Sequence, residues 1–93
     1  LLADSCHYRS WRAHVLFDLG RREQAEKEVQ SALLACPELI DALVLLGNIM
    51  ADQGRYPRAR EAWNQVLSKD PDNAAAGANL KQLQLSGVEE RKQ

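Results

Sequence analysis

From Ile40 onward, apolar or small residues recur at Leu43, Leu46, Gly47 and Met50, and beyond Gly54 at Ala59, Ala62, Trp63, Val66 and Leu67. Steps of three and four are the period of a helix with one face turned to a core, not the strict alternation of a half-buried strand. The first part of the chain keeps the same rhythm, through Tyr8, Trp11, Val15, Leu16 and Leu19, then Ala25, Val29, Ala32 and Leu33. Gly20 and Gly54 sit where a helix must close, because a residue without Cβ adopts positive φ freely. Pro37 and Pro71 follow helices they cannot continue, and Ser5 and Asn73 have side chains suited to capping the next one. The pattern predicts helices over about 6–19, 22–35, 39–53, 56–69 and 74–85, with Arg22–Glu26 and Glu23–Lys27 as i,i+4 pairs each contributing about 0.2–0.5 kcal/mol.

The two halves repeat one design. Laying 13–39 over 47–73 matches Asp18 with Asp52, Gly20 with Gly54, Arg21 with Arg55, Ala25 with Ala59, Leu33 with Leu67 and Pro37 with Pro71. Ala25 and Ala59 are small where two helices should pass closely. Self-similarity at a period of a few tens of residues is the mark of hairpins that stack to bury a face none can bury alone.

With those residues in view, the chain resembles the tetratricopeptide-repeat family, whose 34-residue helix-turn-helix unit carries a W-x2-L-G-x2-Y, A-x3-F, P signature. The second unit supplies Leu43, Leu46-Gly47, Met50, Ala59, Trp63 and Pro71, and Tyr56 after the inter-helix Gly54 also suits the family. The first unit has Arg9 and Arg12 where the signature has large apolar residues, although Ala13, Leu16, Gly20, Ala25, Val29 and Pro37 fit. The resemblance implies an all-α fold of antiparallel helix-turn-helix repeats stacked as a short right-handed α-solenoid. Repeats at about 6–37 and 40–71 and a capping helix at about 74–85 would form a domain over 1–87, followed by a charged tail, 88–93. Leu1, Leu2 and Ala3 fall by offset where a preceding helix would end. Two units and one helix are also fewer than the three or so repeats a stack usually needs, so a piece of a longer array, or an associating unit, is expected.

The family's architecture further implies a noncatalytic module that holds a partner's peptide or helix in a concave groove. By the family's pattern the groove-facing positions are His7, Ser10, His14, Phe17 and Asp18, then Asp41, Val44, Leu45, Asn48, Ala51 and Asp52, then Ala78, Asn79 and Gln82. Val44 and Leu45 are surplus to the core stripe of a helix that is apolar nearly all round. They are either covered by the final helix or a neighbour, or form an apolar strip for the partner. Trp11 is either packed against an upstream helix or an interface anchor on the partner-binding surface. A cationic clamp for a peptide's C-terminal carboxylate, known in the family, lacks its cations at the matching Ser10, His14, Leu45, Ala75 and Asn79. The alternative is a structural module that self-associates or packs within a longer array.

Charge and candidate chemistry narrow this picture. Net charge is −1 with both signs interspersed, so no single-sign field captures nucleic acid or a membrane surface. Arg21, Arg22, Arg55, Arg58 and Arg60 gather near the turns, but Glu23, Glu26 and Glu61 among them make an ion-paired edge the expected state. No apolar run approaches the roughly 18–20 residues of a membrane span. Cys6 and Cys36 read as two small buried thiols in a reducing, cytoplasmic setting, with pairing left open. His7 and His14 are two turns apart on one face, whereas helical metal pairs need i,i+3 or i,i+4 spacing, and Cys6 projects about 100° from His7. Neither a metal site, a cofactor nor an enzymatic activity is expected.

Overall fold

The computed structural model describes residues 5–86, which form α1 (Cys6–Asp18), α2 (Arg22–Ala35), α3 (Ile40–Asp52), α4 (Tyr56–Lys69) and α5 (Ala74–Ser86), with no strand among the described residues. The expected tail at 88–93 and the first residues, Leu1 to Ala3, lie outside them. Both predicted caps form: Tyr8 N–H donates to Ser5 Oγ at 3.0 Å, and Ala76 N–H donates to Asn73 Oδ1 at 2.9 Å. Gly20 and Gly54 hold φ of +83° and +79° at the turns that fold α2 back on α1 and α4 back on α3.

The two hairpins stack through α2 on α3, with α1 also touching α3, and α5 lies against α4. Gly47 fixes how α3 meets α4. A Cβ on Gly47 would fall inside the Trp63 indole, only 2.6 Å from its Cε2, so the ring occupies the space a side chain would take. Trp63 Nε1–H donates to the Val44 carbonyl at 3.2 Å, which satisfies the one polar atom that this buried side chain brings in. With Leu43, Gly47 and Met50 turned towards α4, Ala42, Leu45 and Ile49 project roughly opposite and face the first hairpin; all six are buried. In the first unit the equivalent positions are Ala13 and Val29, both fully buried. One pair places a methyl against a valine, the other a bare backbone against an indole.

Polar contacts at the junction between hairpins differ from the local pairs expected within α2. Arg22 pairs with Asp52 of α3 instead of Glu26, and Glu26 Oε1 accepts from Gln53 Nε2 at 2.7 Å. Stacking places partners from another helix within reach of both side chains.

The cysteines correct the reading of two separate thiols. Cys6 and Cys36 form a disulfide across a sequence separation of 30, with Cα atoms 6.1 Å apart, inside the usual bridging range of about 4.4–6.8 Å. The reason is the hairpin: α1 begins and α2 ends at the same end of it. The expected cytoplasmic setting rested on unpaired thiols and loses that support, since disulfides persist in oxidising surroundings.

Two outcomes follow for stability. Gly47→Ala should destabilise the chain by about 1–3 kcal/mol in urea unfolding, because a rigid indole must move and overpacking outweighs the roughly 1 kcal/mol gained in helix propensity. The cost should shrink markedly when measured in a Trp63→Val background, which copies the first unit. Reduction of the disulfide should remove about 2–4 kcal/mol by freeing a loop of this length in the unfolded chain; an unchanged midpoint would show that the bridge constrains nothing.

Candidate functional site

The ends of α1 and α3, the start of α4 and the length of α5 enclose a depression of about 390 Å³. It is lined by Phe17, Asn48, Ala51, Asp52, Tyr56, Trp63, Asn79, Gln82, Leu83 and Ser86. Asn73 sets the phase of α5, since its cap fixes the first turn and so brings Asn79 opposite Asn48. Asn79 Nδ2 donates to Asn48 Oδ1 at 2.9 Å. That pairing leaves the Asn48 amide NH2 and the Asn79 carbonyl oxygen as a donor and an acceptor, the complement of a peptide unit. Beside them Phe17, Tyr56 and Leu83 supply apolar surface. At the rim the Arg22 guanidinium sits 5.8 Å from the Phe17 ring centroid and pairs with Asp52, so the rim's carboxylate is already matched by a cation. The depression is therefore close to neutral, with amide chemistry at its centre.

Of the residues expected in the groove, Phe17, Asn48, Asp52 and Asn79 come together here, with Ala51 and Gln82. His7 and Asp41 are exposed, and His14 and Val44 half-buried, outside this depression. Three further candidate positions lie elsewhere. Leu45 is 1% exposed, covered as part of the stripe that faces the first hairpin, and is no part of an open surface. Ser10 is 3% exposed, because α1 lies against α2 and α3 at that position, and its hydroxyl finds no hydrogen-bond partner among the described residues. Trp11 lies away from the depression, 60% exposed on the outer face of α1, with its ring centroid 5.7 Å from that of Tyr8.

Tyr56, Trp63, Leu83 and Ser86 line the depression without having been expected there. Trp63 carries only a core signal in the sequence, and both it and Leu83 are buried. His7 Nδ1 lies 3.7 Å from Cys6 Sγ, a sulfur already bonded to Cys36. Among the described residues no three or more His, Cys, Asp or Glu side chains gather as metal ligands would, and no helix is long and apolar enough to cross a membrane.

Comparison with known proteins agrees with this architecture. A family model described as tetratricopeptide repeat matches residues 40–73, and another of the same description matches residues 7–29. Together they cover more than half of the chain, which belongs to the tetratricopeptide-repeat family. Such repeats generally mediate protein–protein interaction and are typically noncatalytic. No curated protein matches the chain.

The unpaired Ser10 hydroxyl yields a prediction on stability. Ser10→Ala should leave the fold intact and be neutral to about 1 kcal/mol stabilising in thermal or urea unfolding, since it removes a buried group that gains no hydrogen bond. A loss of more than about 1 kcal/mol would mean the hydroxyl has a partner, such as a bound water.

Proposed function

We propose that this chain is a noncatalytic binding module that holds an extended segment of a partner protein across the depression between α1, α3 and α5. The observation that carries the reading is the Asn48–Asn79 amide pair set among Phe17, Tyr56 and Leu83. Side-chain amides match the donors and acceptors of a peptide backbone whatever its sequence, while the apolar surround selects for an apolar side chain on the bound segment. Asp52, already paired with Arg22, adds little net charge, so the preferred ligand is a neutral to mildly polar peptide with an apolar anchor.

Selection of peptides from a displayed random library on the intact chain, followed by calorimetry, tests this reading. Asn79→Ala should weaken the selected peptides about tenfold by removing a hydrogen-bonded contact, and Phe17→Glu should abolish measurable binding, both with unchanged helical content. Peptides that bind these variants as tightly as the parent would remove the depression from consideration.

A further inference from the structure

Cys6 and Cys36 sit at opposite kinds of helix end. Cys6 is the first residue of α1, directly after its cap Ser5, where backbone N–H groups without helical partners and the positive end of the helix dipole favour an anion. Cys36 closes α2, where free carbonyls and the negative end of the dipole disfavour one. The sulfurs differ in access as well: Cys6 is 6% exposed, whereas Cys36 is half-buried within the chain, in the connection from α2 to α3. A thiolate that attacks a disulfide bonds to the sulfur it can reach and leaves fastest from the better anion. Access and charge here select the same course, attack at Cys36 and departure of Cys6.

Two side chains stand at Cys6 as donors. Neighbours on a helix project about 100° apart, yet the His7 ring turns back over the first turn of α1 and brings Nδ1 to 3.7 Å from Cys6 Sγ. Ser10 lies four residues on, along the same face, and is 3% exposed with a hydroxyl that finds no hydrogen-bond partner among the described residues. Helical side chains lean towards the N-terminus, so that hydroxyl is directed at the turn holding Cys6. A sulfur bonded to another sulfur is a weak acceptor, whereas a Cys6 thiolate offers both groups a charged one. Burial of Cys6 acts against its anion, and the helix amides, the imidazole and the hydroxyl offset that cost.

We propose that the Cys6–Cys36 bridge is a thiol-exchange site, at which an external thiol of the glutathione class modifies Cys36 reversibly. The attacking thiolate bonds to Cys36 Sγ, the bond between the two cysteines breaks, and Cys6 departs with the electron pair as a thiolate held by His7 Nδ1–H and the Ser10 hydroxyl. The proton lost by the attacking thiol goes to solvent. Return of Cys6 to the Cys36 sulfur restores the bridge and expels the thiol. Alternatively a second external thiolate attacks the first, leaves as the disulfide of the two and reduces Cys36 to a thiolate, so the external thiol is oxidised as the bridge is reduced. This is a site of modification and not of turnover. It lies at the opposite end of the first hairpin from Phe17 and the depression, so it stands or falls independently of peptide binding there. A bridge that served only as a clamp would exchange when the chain unfolds and with no preference between its sulfurs.

The test incubates the oxidised chain with reduced glutathione at neutral pH, quenches with N-ethylmaleimide and maps both cysteines by mass spectrometry. Glutathione should appear on Cys36 and maleimide on Cys6, about tenfold or more over the reverse pattern. In unfolding urea, where both helix ends are gone, the ratio should approach one. The initial rate should stay flat at urea concentrations below the unfolding transition, as exchange in the folded chain requires. His7→Gln and Ser10→Ala should each slow exchange about threefold. Ser10→Ala should do so while the bridged chain stays as stable as the parent or becomes more so, a split that lost packing does not produce. The proposal is overturned by glutathione on Cys6 as often as on Cys36 in the folded chain, by a preference that survives urea, or by a rate that climbs with the unfolded fraction. It is overturned equally if both variants exchange at the parent's rate, or if the two thiols fail to pair in oxidised glutathione.

Discussion

The contact between the bare backbone of Gly47 and the Trp63 indole sets the rotation of α3, and the rotation of α3 sets nearly everything else. A helix that is apolar on most sides has no preferred phase from the hydrophobic effect alone, since several faces bury almost equal area. Only one phase, however, admits an indole against the helix surface and gives its N–H the Val44 carbonyl. Once that phase is fixed, Ala42, Leu45 and Ile49 must turn to the first hairpin, and Asn48, Ala51 and Asp52 must turn to the depression. The depression is thus a by-product of one steric decision made on the other side of the helix.

The first hairpin is built more lightly. Arg9 and Arg12 replace the apolar Leu43 and Leu46 of the second unit, and Val29 stands where Trp63 does, so less apolar surface holds α1 to α2. Two other interactions take up the difference. Arg9 donates to Ser31 Oγ at 2.7 Å and joins Arg12 on Glu28, a three-charge cluster whose partners are partly shielded from water. The Cys6–Cys36 bond then ties the open end of the hairpin, where fraying would otherwise begin. A covalent clamp at one end and a glycine turn at the other leave α1 little freedom to drift from α2.

The helices, turns and caps could be read in the sequence because each depends on local chemistry: Gly20 and Gly54 supply positive φ, and Ser5 and Asn73 supply oxygens to orphan amides. In the candidate site, Phe17, Asn48, Asp52 and Asn79 line the depression at positions that the family resemblance implies. Leu45 was not settled, because its neighbours in sequence are all apolar and its burial is decided by Trp63, far along the chain. Ser10 looked like a surface residue by type, yet it lies where α1 meets its neighbours. The disulfide pairing is set by the hairpin: Cys6 and Cys36 lie equally far on either side of Arg21, so a turn there brings them level. Trp11 lies away from the depression, 60% exposed, because its side of α1 faces neither α2 nor α3.

The candidate binding surface and the stacking of the hairpins are also coupled to each other. Phe17 comes from the first hairpin and Asn48 from the second, while Arg22 reaches from α2 to Asp52 and stands over the Phe17 ring. A segment lying in the depression therefore touches both hairpins at their junction, the place where Glu26 and Gln53 also meet. Any ligand that prefers the stacked arrangement stabilises that junction by its binding free energy, and a junction that loosens widens the depression and lowers affinity in the same proportion. Repeats joined by polar contacts at their edges and apolar ones within are suited to this coupling, because the edge contacts yield to water at low cost while the Gly47–Trp63 packing holds the second unit and the Cys6–Cys36 bond the first.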